Sequence, residues 1–295
     1  MRKTSFIVSL SLAFALGMQA QTKDGGISEQ MLSDIRKAQP VGVADKAIFN
    51  AIASNAIDDL AKNFAAQGPV DNHFSVETPQ QNIHNQKSSG RCWMFSGLNV
   101  LRANFAKRHA DSLCVEFSHD YLFFYDQLEK ANLMLQGVID CAKKPIDDQR
   151  VQFFFRSPIG DGGTFCGVAD LAGKYGLVPM GVMPETYSAE NTGRMAKIVS
   201  SKLREFGLEL RAMVANGKSS KAVQARKVEM LSTVYRILSL TLGEPVQEFT
   251  YAFTDKKGVA KTPARKYTPR EFYEATGGGQ LNGTCIMVMN DPRRR

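Results

Sequence analysis

A glutamine six residues ahead of a Cys-Trp pair, with a glycine two before the cysteine, is the part of this sequence equipped for chemistry: Gln86-Lys87-Ser88-Ser89-Gly90-Arg91-Cys92-Trp93-Met94-Phe95. A thiol attacks an amide carbonyl only as its thiolate. Three devices favour that form: a helix N-terminus, a nearby cation, and a histidine able to take the proton. The first is legible here. Met94, Leu98, Leu101 and Phe105 share one helical face, so Cys92 stands where a helix begins, beside backbone N–H groups that lack intrahelical partners. The oxyanion that forms during attack needs two donors. Gln86 offers a side-chain amide and Cys92 its own backbone N–H. The intervening Ser88-Ser89-Gly90 turn is short enough to fold Gln86 back over the sulfur. Cys92 and Gln86 are therefore the catalytic candidates.

The elements that must hold this site follow from periodicity. Ile48, Ile52, Ala56, Leu60 and Phe64 recur every four residues, which predicts one amphipathic helix over 44–64, ended by Gly68-Pro69. Residues 73–77 alternate weakly, as in a strand. The nucleophile helix is expected to run to about His109. Ser118 is placed to cap a second helix carrying Tyr121, Leu122, Tyr125 and Leu128. Residues 151–156 are open between helix and strand. Asp161-Gly162-Gly163 reads as a turn, and 166–175 as a short helix closed by Gly176. Two long charged helices are predicted over 194–214 and 221–242, joined at Asn216-Gly217. Residues 246–254 and 260–267 flank Asp255-Lys256-Lys257-Gly258 as a hairpin. A helix over 269–275 behind Thr268 and an apolar strand over 284–289 complete the chain.

Composition sets the class. With 295 residues, 43% of them apolar, the chain can bury a substantial core in one or two domains. Arg2, Lys3, the apolar run from Phe6 to Gly17 and the small residue Ala20 read as a secretory signal over residues 1–20. That run is too short to span a bilayer, and no later segment qualifies, so no membrane partner is expected. The five cysteines, Cys92, Cys114, Cys141, Cys166 and Cys285, show no framework and no CxxC spacing. They read as scattered small buried apolar residues more readily than as disulfides or a zinc site, and without a CxxC a redox role has little support. The net charge is +8, and residues 194–236 carry ten Lys/Arg against three Glu. A solvated helix face is the plain reading. A surface for polyanions is the alternative, and no RNA- or DNA-binding motif supports it.

The segment Gln86 to Phe95, with Asn99-Val100-Leu101-Arg102 after it, closely resembles the nucleophile segment of the bleomycin hydrolase/aminopeptidase C branch of the papain-like cysteine peptidases. The resemblance continues through Phe117 to Asp126, Leu128 to Asn132, Asp161-Gly162-Gly163, Lys174 to Pro179 and Met183 to Tyr187. It covers roughly residues 74–187 and weakens toward 292. Arg91 beside the cysteine and Ser89, where ordinary papain relatives often carry a disulfide cysteine, are points of difference.

The resemblance implies an α+β, papain-like fold. It divides the chain into a signal (1–20), a helical N-terminal extension (21–72), a left subdomain with the nucleophile helix (73–190), a helical insertion (191–245) and the start of a β-rich subdomain (246–295). It implies Cys92 as nucleophile, Gln86 as oxyanion donor, and Gly162 and Gly163 as backbone that pairs with the substrate main chain. It also implies removal of residues from peptide N-termini and a hexameric homo-oligomer. No metal or organic cofactor is implied.

The family's general base is a histidine far downstream, oriented by an asparagine. His73, His84, His109 and His119 do not match it. His109 ends the nucleophile's own helix, about 25 Å from Cys92 at about 1.5 Å per residue. Each of the four is expected at the surface or as a hydrogen-bonded core residue. Asn282 and Asn290 fall too early to be the orienting asparagine. The expectation is therefore a β-rich half cut short. Three accounts stay open: a truncated product, a site completed by a separate C-terminal fragment, or an inactive pseudo-peptidase that binds peptides. A chain lacking that half should expose an apolar face and seek a partner.

Overall fold

The computed structural model describes residues 26–39, 42–63, 65, 73–75, 77–79, 82–110 and 112–278. The signal-like segment 1–20, Asn282, Cys285, Asn290 and the strand expected over 284–289 lie outside them. The chain divides into two units, residues 1–74 and 75–295. No described helix is long and apolar enough to cross a membrane.

The first unit contains α1 (Glu29–Ala38), α2 (Val43–Ser54) and α3 (Ile57–Leu60). The single helix predicted over 44–64 is broken, because the Asn55 side chain turns back and donates to Ala51 O at 3.0 Å, closing α2. None of the three helices buries a residue. The strand expected over 73–77 is not formed by residues 73–75 or 77.

The second unit is built on α4 (Cys92–Arg108) and α5 (His119–Asp140). Met94, Leu98, Leu101 and Phe105 are all buried, as their spacing requires. Ser118 caps α5 by accepting from Tyr121 N at 3.0 Å, and its own hydroxyl reaches Met183 O. Residues 149–156 resolve as a helix, α6 (Gln149–Arg156). There follow α7 (Phe165–Tyr175), α8 (Tyr187–Glu190), α9 (Gly193–Ala215) and α10 (Ser220–Leu242).

The two long charged helices share the core of α5. Val199, Leu203 and Leu210 of α9 and Val234, Leu238 and Leu242 of α10 are fully buried in the same cluster as Phe124, Leu135 and Val138. Part of the cationic run is not a solvated face. Arg204 donates to Phe155 O and Arg156 O, and Arg211 to Cys141 O and Lys144 O. Carbonyls at a helix C-terminus have no intrahelical donor, and these guanidinium groups supply one to α6 and to α5.

The hairpin pairs β1 (Phe249–Tyr251) with β2 (Arg265–Tyr267), antiparallel, with Thr250 opposite Lys266. Beyond β1 the register slips: Lys261 N donates to Phe253 O at 2.8 Å, and Thr262 Oγ1 receives Phe253 N at 2.9 Å. Two extra residues sit on the second strand's side, where Pro263 has no N–H to give. Asp255 makes the turn, its Oδ1 accepting from Lys257 N and Val259 N. Helix α11 (Pro269–Ala275) starts at Thr268, which caps it with Glu271 in a reciprocal box.

Candidate active site

Cys92 is the first residue of α4, one position after its N-cap Arg91, and it is exposed while Trp93, Met94 and Phe95 behind it are buried. Met94 N and Phe95 N both donate to Arg91 O, so the N–H groups of Cys92 and Trp93 are the ones left over at the helix start. Gln86 is part-buried in the preceding loop. Its Nε2 donates to Ser89 O at 2.5 Å, and Ser89 Oγ donates back to Gln86 O at 2.7 Å. These two bonds close the turn between Gln86 and Ser89. Lys87 holds a left-handed φ of 53° at its apex.

The Asp161-Gly162-Gly163 loop is fastened to this turn. Asp161 Oδ2 accepts from Gly90 N at 2.9 Å and also takes the Thr192 hydroxyl, while Asp161 O accepts from Trp93 Nε1 at 2.7 Å. Gly162 is exposed with open space where a Cβ would stand, but its carbonyl already receives Lys130 Nζ at 2.7 Å. Gly163 is a glycine for a packing reason: a Cβ there would lie 2.5 Å from the Trp93 ring. Lys130 also donates to Gly160 O and Asp126 Oδ2 and lies 5.6 Å from the Trp93 ring centre. Gln86 on its loop, Cys92 at the head of α4, and the Gly162-Gly163 loop therefore belong to segments joined by direct bonds through Asp161. The sequence reading did not find Asp161's carboxylate or Lys130; the Asp126–Lys130 spacing of four was the available signal for the latter.

Beneath the loops lies a buried ionic cluster. Arg91 is fully buried and makes a two-pronged pair with Glu185, at 2.7 and 3.3 Å. His119 is 1% exposed, stacks on Phe95 at 3.7 Å, and stands 3.7 Å from Glu185 Oε1. Neither ring nitrogen has a hydrogen-bond partner, so the expectation of a hydrogen-bonded core histidine fails here. Burial, then the charges of His84, Arg91 and Arg102, hold its pKa down at about 3. His84 lies 3.1 Å from Glu116, and burial holds its pKa below the usual value. Asp120 is fully buried with Thr186 beside it, and neither oxygen has a well-formed hydrogen bond. Burial and then Glu185 push its pKa up to about 8, against the pull of Arg91. His109 packs on Phe105 at the far end of α4.

These two groups predict a plateau in stability. Between its ordinary 3.8 and about 8, native Asp120 keeps a proton that the unfolded chain has released, so stability falls as pH rises. Between about 3 and 6.5, unfolded His119 holds a proton the native chain lacks, so stability falls as pH drops. The slopes oppose from about pH 4 to 6.5 and act alone outside that window. Urea midpoints measured from pH 3 to 9 should be flat in the middle. D120N should remove the alkaline loss and H119F the acid one. An unchanged alkaline arm in D120N would refute the assignment.

Cys92, Cys141 and Cys166 form no disulfide; Cys141 is buried, as the reading of small buried apolar residues expects, whereas Cys92 and Cys166 are exposed against it, and no group of three metal-ligating side chains is found among the described residues. The arrangement is an exposed thiol at a helix start, a carboxamide on the loop before it, and a backbone strip held alongside. It can present a nucleophile to a carbonyl in an extended chain.

The chain is similar to known proteins in sequence and in fold. The Peptidase C1-like family matches residues 26–295. Aminopeptidase C of Lactobacillus delbrueckii subsp. lactis is 38% identical over 264 residues, covering 90% of this chain and 57% of that protein. Bleomycin hydrolase of Homo sapiens is 38% identical over 226 residues, covering 75% and 49%. The crystal structure of PepW from Lactobacillus rhamnosis HN001 superposes with a TM-score of 0.76 at 32% identity, over 86% of this chain and 57% of that one. The chain spans about half the length of the curated relatives it matches.

Proposed function

The chain belongs to the Peptidase C1-like family and has its papain-like α+β fold, and from that premise we propose that it carries the nucleophile side of a cysteine aminopeptidase cleft. Cys92 attacks the carbonyl carbon of a peptide's N-terminal residue. Its backbone N–H and the Gln86 amide receive the oxyanion. The strip at Gly162 and Gly163 aligns the substrate main chain. The observation that carries this reading is Cys92 standing exposed at the head of a buried helix, with the Asp161 loop bonded to Gly90 and Trp93 on either side of it.

The reading requires an imidazole from outside the described residues of the second unit, because His84, His109 and His119 are engaged elsewhere. The second reading is peptide binding without turnover. The test is thiol-dependent hydrolysis of aminoacyl fluorogenic amides. The aminopeptidase reading expects cleavage of free-amine substrates but not of N-acetylated ones, lost in step with alkylation of Cys92. Peptide binding with no cleavage would favour the second reading. A hexameric assembly enclosing the cleft is part of the first reading. Residues 1–20 are proposed as an export signal, on Arg2, Lys3 and the apolar run; an exported protein starting at Gln21 in N-terminal sequencing is the expected result.

A further inference from the structure

We propose that Ser89, Arg91 and Glu185 are positioning residues that fix the Gln86 carboxamide for its work at Cys92. The inference rests on the roles given to Cys92 and Gln86 above.

The four residues form one continuous set of bonds. Glu185 holds both terminal nitrogens of Arg91; Arg91 Nε donates to Ser89 Oγ at 3.0 Å; Ser89 Oγ donates to Gln86 O at 2.7 Å; and Gln86 Nε2 donates to Ser89 O at 2.5 Å. The guanidinium has no freedom of its own. It is fully buried, with the Phe95 ring centre at 5.3 Å and that of Phe123 at 5.1 Å. A planar fork can serve a carboxylate with two nitrogens and a hydroxyl with the third, and an ammonium cannot.

The loop needs holding. Lys87 is a non-glycine residue at a φ of 53°, kept there by Asn85 Oδ1 accepting from its N–H at 2.7 Å. Such a conformation persists only where its surroundings enforce it. The carboxamide has two N–H groups on one planar nitrogen. With one spent on Ser89 O, the direction of the other is set by the loop. A donor fixed before the reaction begins is what stabilises a developing oxyanion, since it needs no reorganisation later.

The test compares two reactions of the same thiol. A free-amine aminoacyl aldehyde adds reversibly to Cys92: the S–C bond forms, the C=O π bond opens, and the thiol proton ends on the oxygen occupying the oxyanion position. Iodoacetamide forms an S–C bond with loss of iodide and makes no oxyanion. In the protein used for the hydrolysis assay, Q86A should weaken aldehyde binding and lower kcat by about 10²-fold. S89A should lower both by about ten-fold with KM and iodoacetamide rate little changed. R91K should behave like S89A and not rescue it, and the double variant Q86A/S89A should be no worse than Q86A alone. S89A, a small change, keeps the test open if R91K does not fold. Aldehyde binding unchanged in S89A, or losses that add in the double variant, would overturn the inference. If Q86A itself has no effect, the role of Gln86 falls and this inference with it; if only Q86A responds, this inference falls alone.

Discussion

R102M is expected to lower the unfolding free energy by about 1–3 kcal/mol, the cost of removing a fully buried guanidinium from partners that include the one-third-exposed carboxylate of Glu116. Arg102 lies on the buried face of α4 and is 1% exposed. Its Nη2 donates to Glu116 Oε1 at 2.6 Å, and its Nη1 serves Asn82 O at 3.1 Å and Asn99 Oδ1 at 2.7 Å. Methionine fills much of the same volume, so the loss is electrostatic and not a cavity. It takes one donor from the Glu116 carboxylate, which keeps His84 at 3.1 Å, and one each from the Asn82 carbonyl and the Asn99 amide oxygen. The double variant R102M/E116L should recover a substantial part, because removing both partners removes the unpaired charge. Arg102 also faces His84 Nδ1 at 3.2 Å and helps to hold that imidazole neutral. In R102M, His84 should therefore titrate at higher pH beside Glu116, which two-dimensional NMR of the ring would show. Urea unfolding at pH 7 is the stability measurement. A loss below about 1 kcal/mol would place Arg102 among ordinary surface ion pairs, against its burial.

Such a pair also marks what a single sequence conceals. The helices were legible because burial imposes a period on the residues that form them: Met94, Leu98, Leu101 and Phe105 could lie on one face only as a helix. The caps at Ser118 and Thr268 and the glycine at 176 were legible because each fills a local requirement of the backbone. The candidate nucleophile was legible for the same reason, since Cys92, Gln86 and Gly90 act within one turn. Arg91 and Glu185 are 94 positions apart and Gly90 and Asp161 are 71 apart, and nothing local ties one to the other. Their types carry no period, and a buried arginine is rare enough that exposure is the natural expectation. His119 was invisible in another way: it occupies an apolar position because it is kept neutral, which depends on the cluster around it. The broken helix at Asn55 shows a local signal overriding periodicity, an asparagine side chain competing for the backbone.

G176A is expected to destabilise the second unit by about 2–6 kcal/mol, from two independent costs. The first is conformational. Gly176 closes α7 with φ 80° and ψ −165°, a region that only glycine enters freely, at about 1–3 kcal/mol for another residue. The second is steric. A Cβ would stand 2.2 Å from Pro269 C, 2.3 Å from its O and 2.5 Å from Arg270 N. These are backbone atoms at the start of α11, and they cannot rotate away as a side chain would. They are also fixed by a bond, since Leu177 N donates to Pro269 O at 2.9 Å. Relief would require α11 to move off α7, exposing Phe272, which is fully buried among Phe117, Phe249 and Tyr267. Overpacking of that kind adds about 1–3 kcal/mol. G173A is the matched control: it lies three residues earlier in the same helix, and a Cβ there meets nothing within 4 Å. It should be neutral or slightly stabilising, because alanine is the better helix former. Urea midpoints of the two variants, measured side by side, read the difference. Equal midpoints would mean that α7 and α11 are not locked at this point.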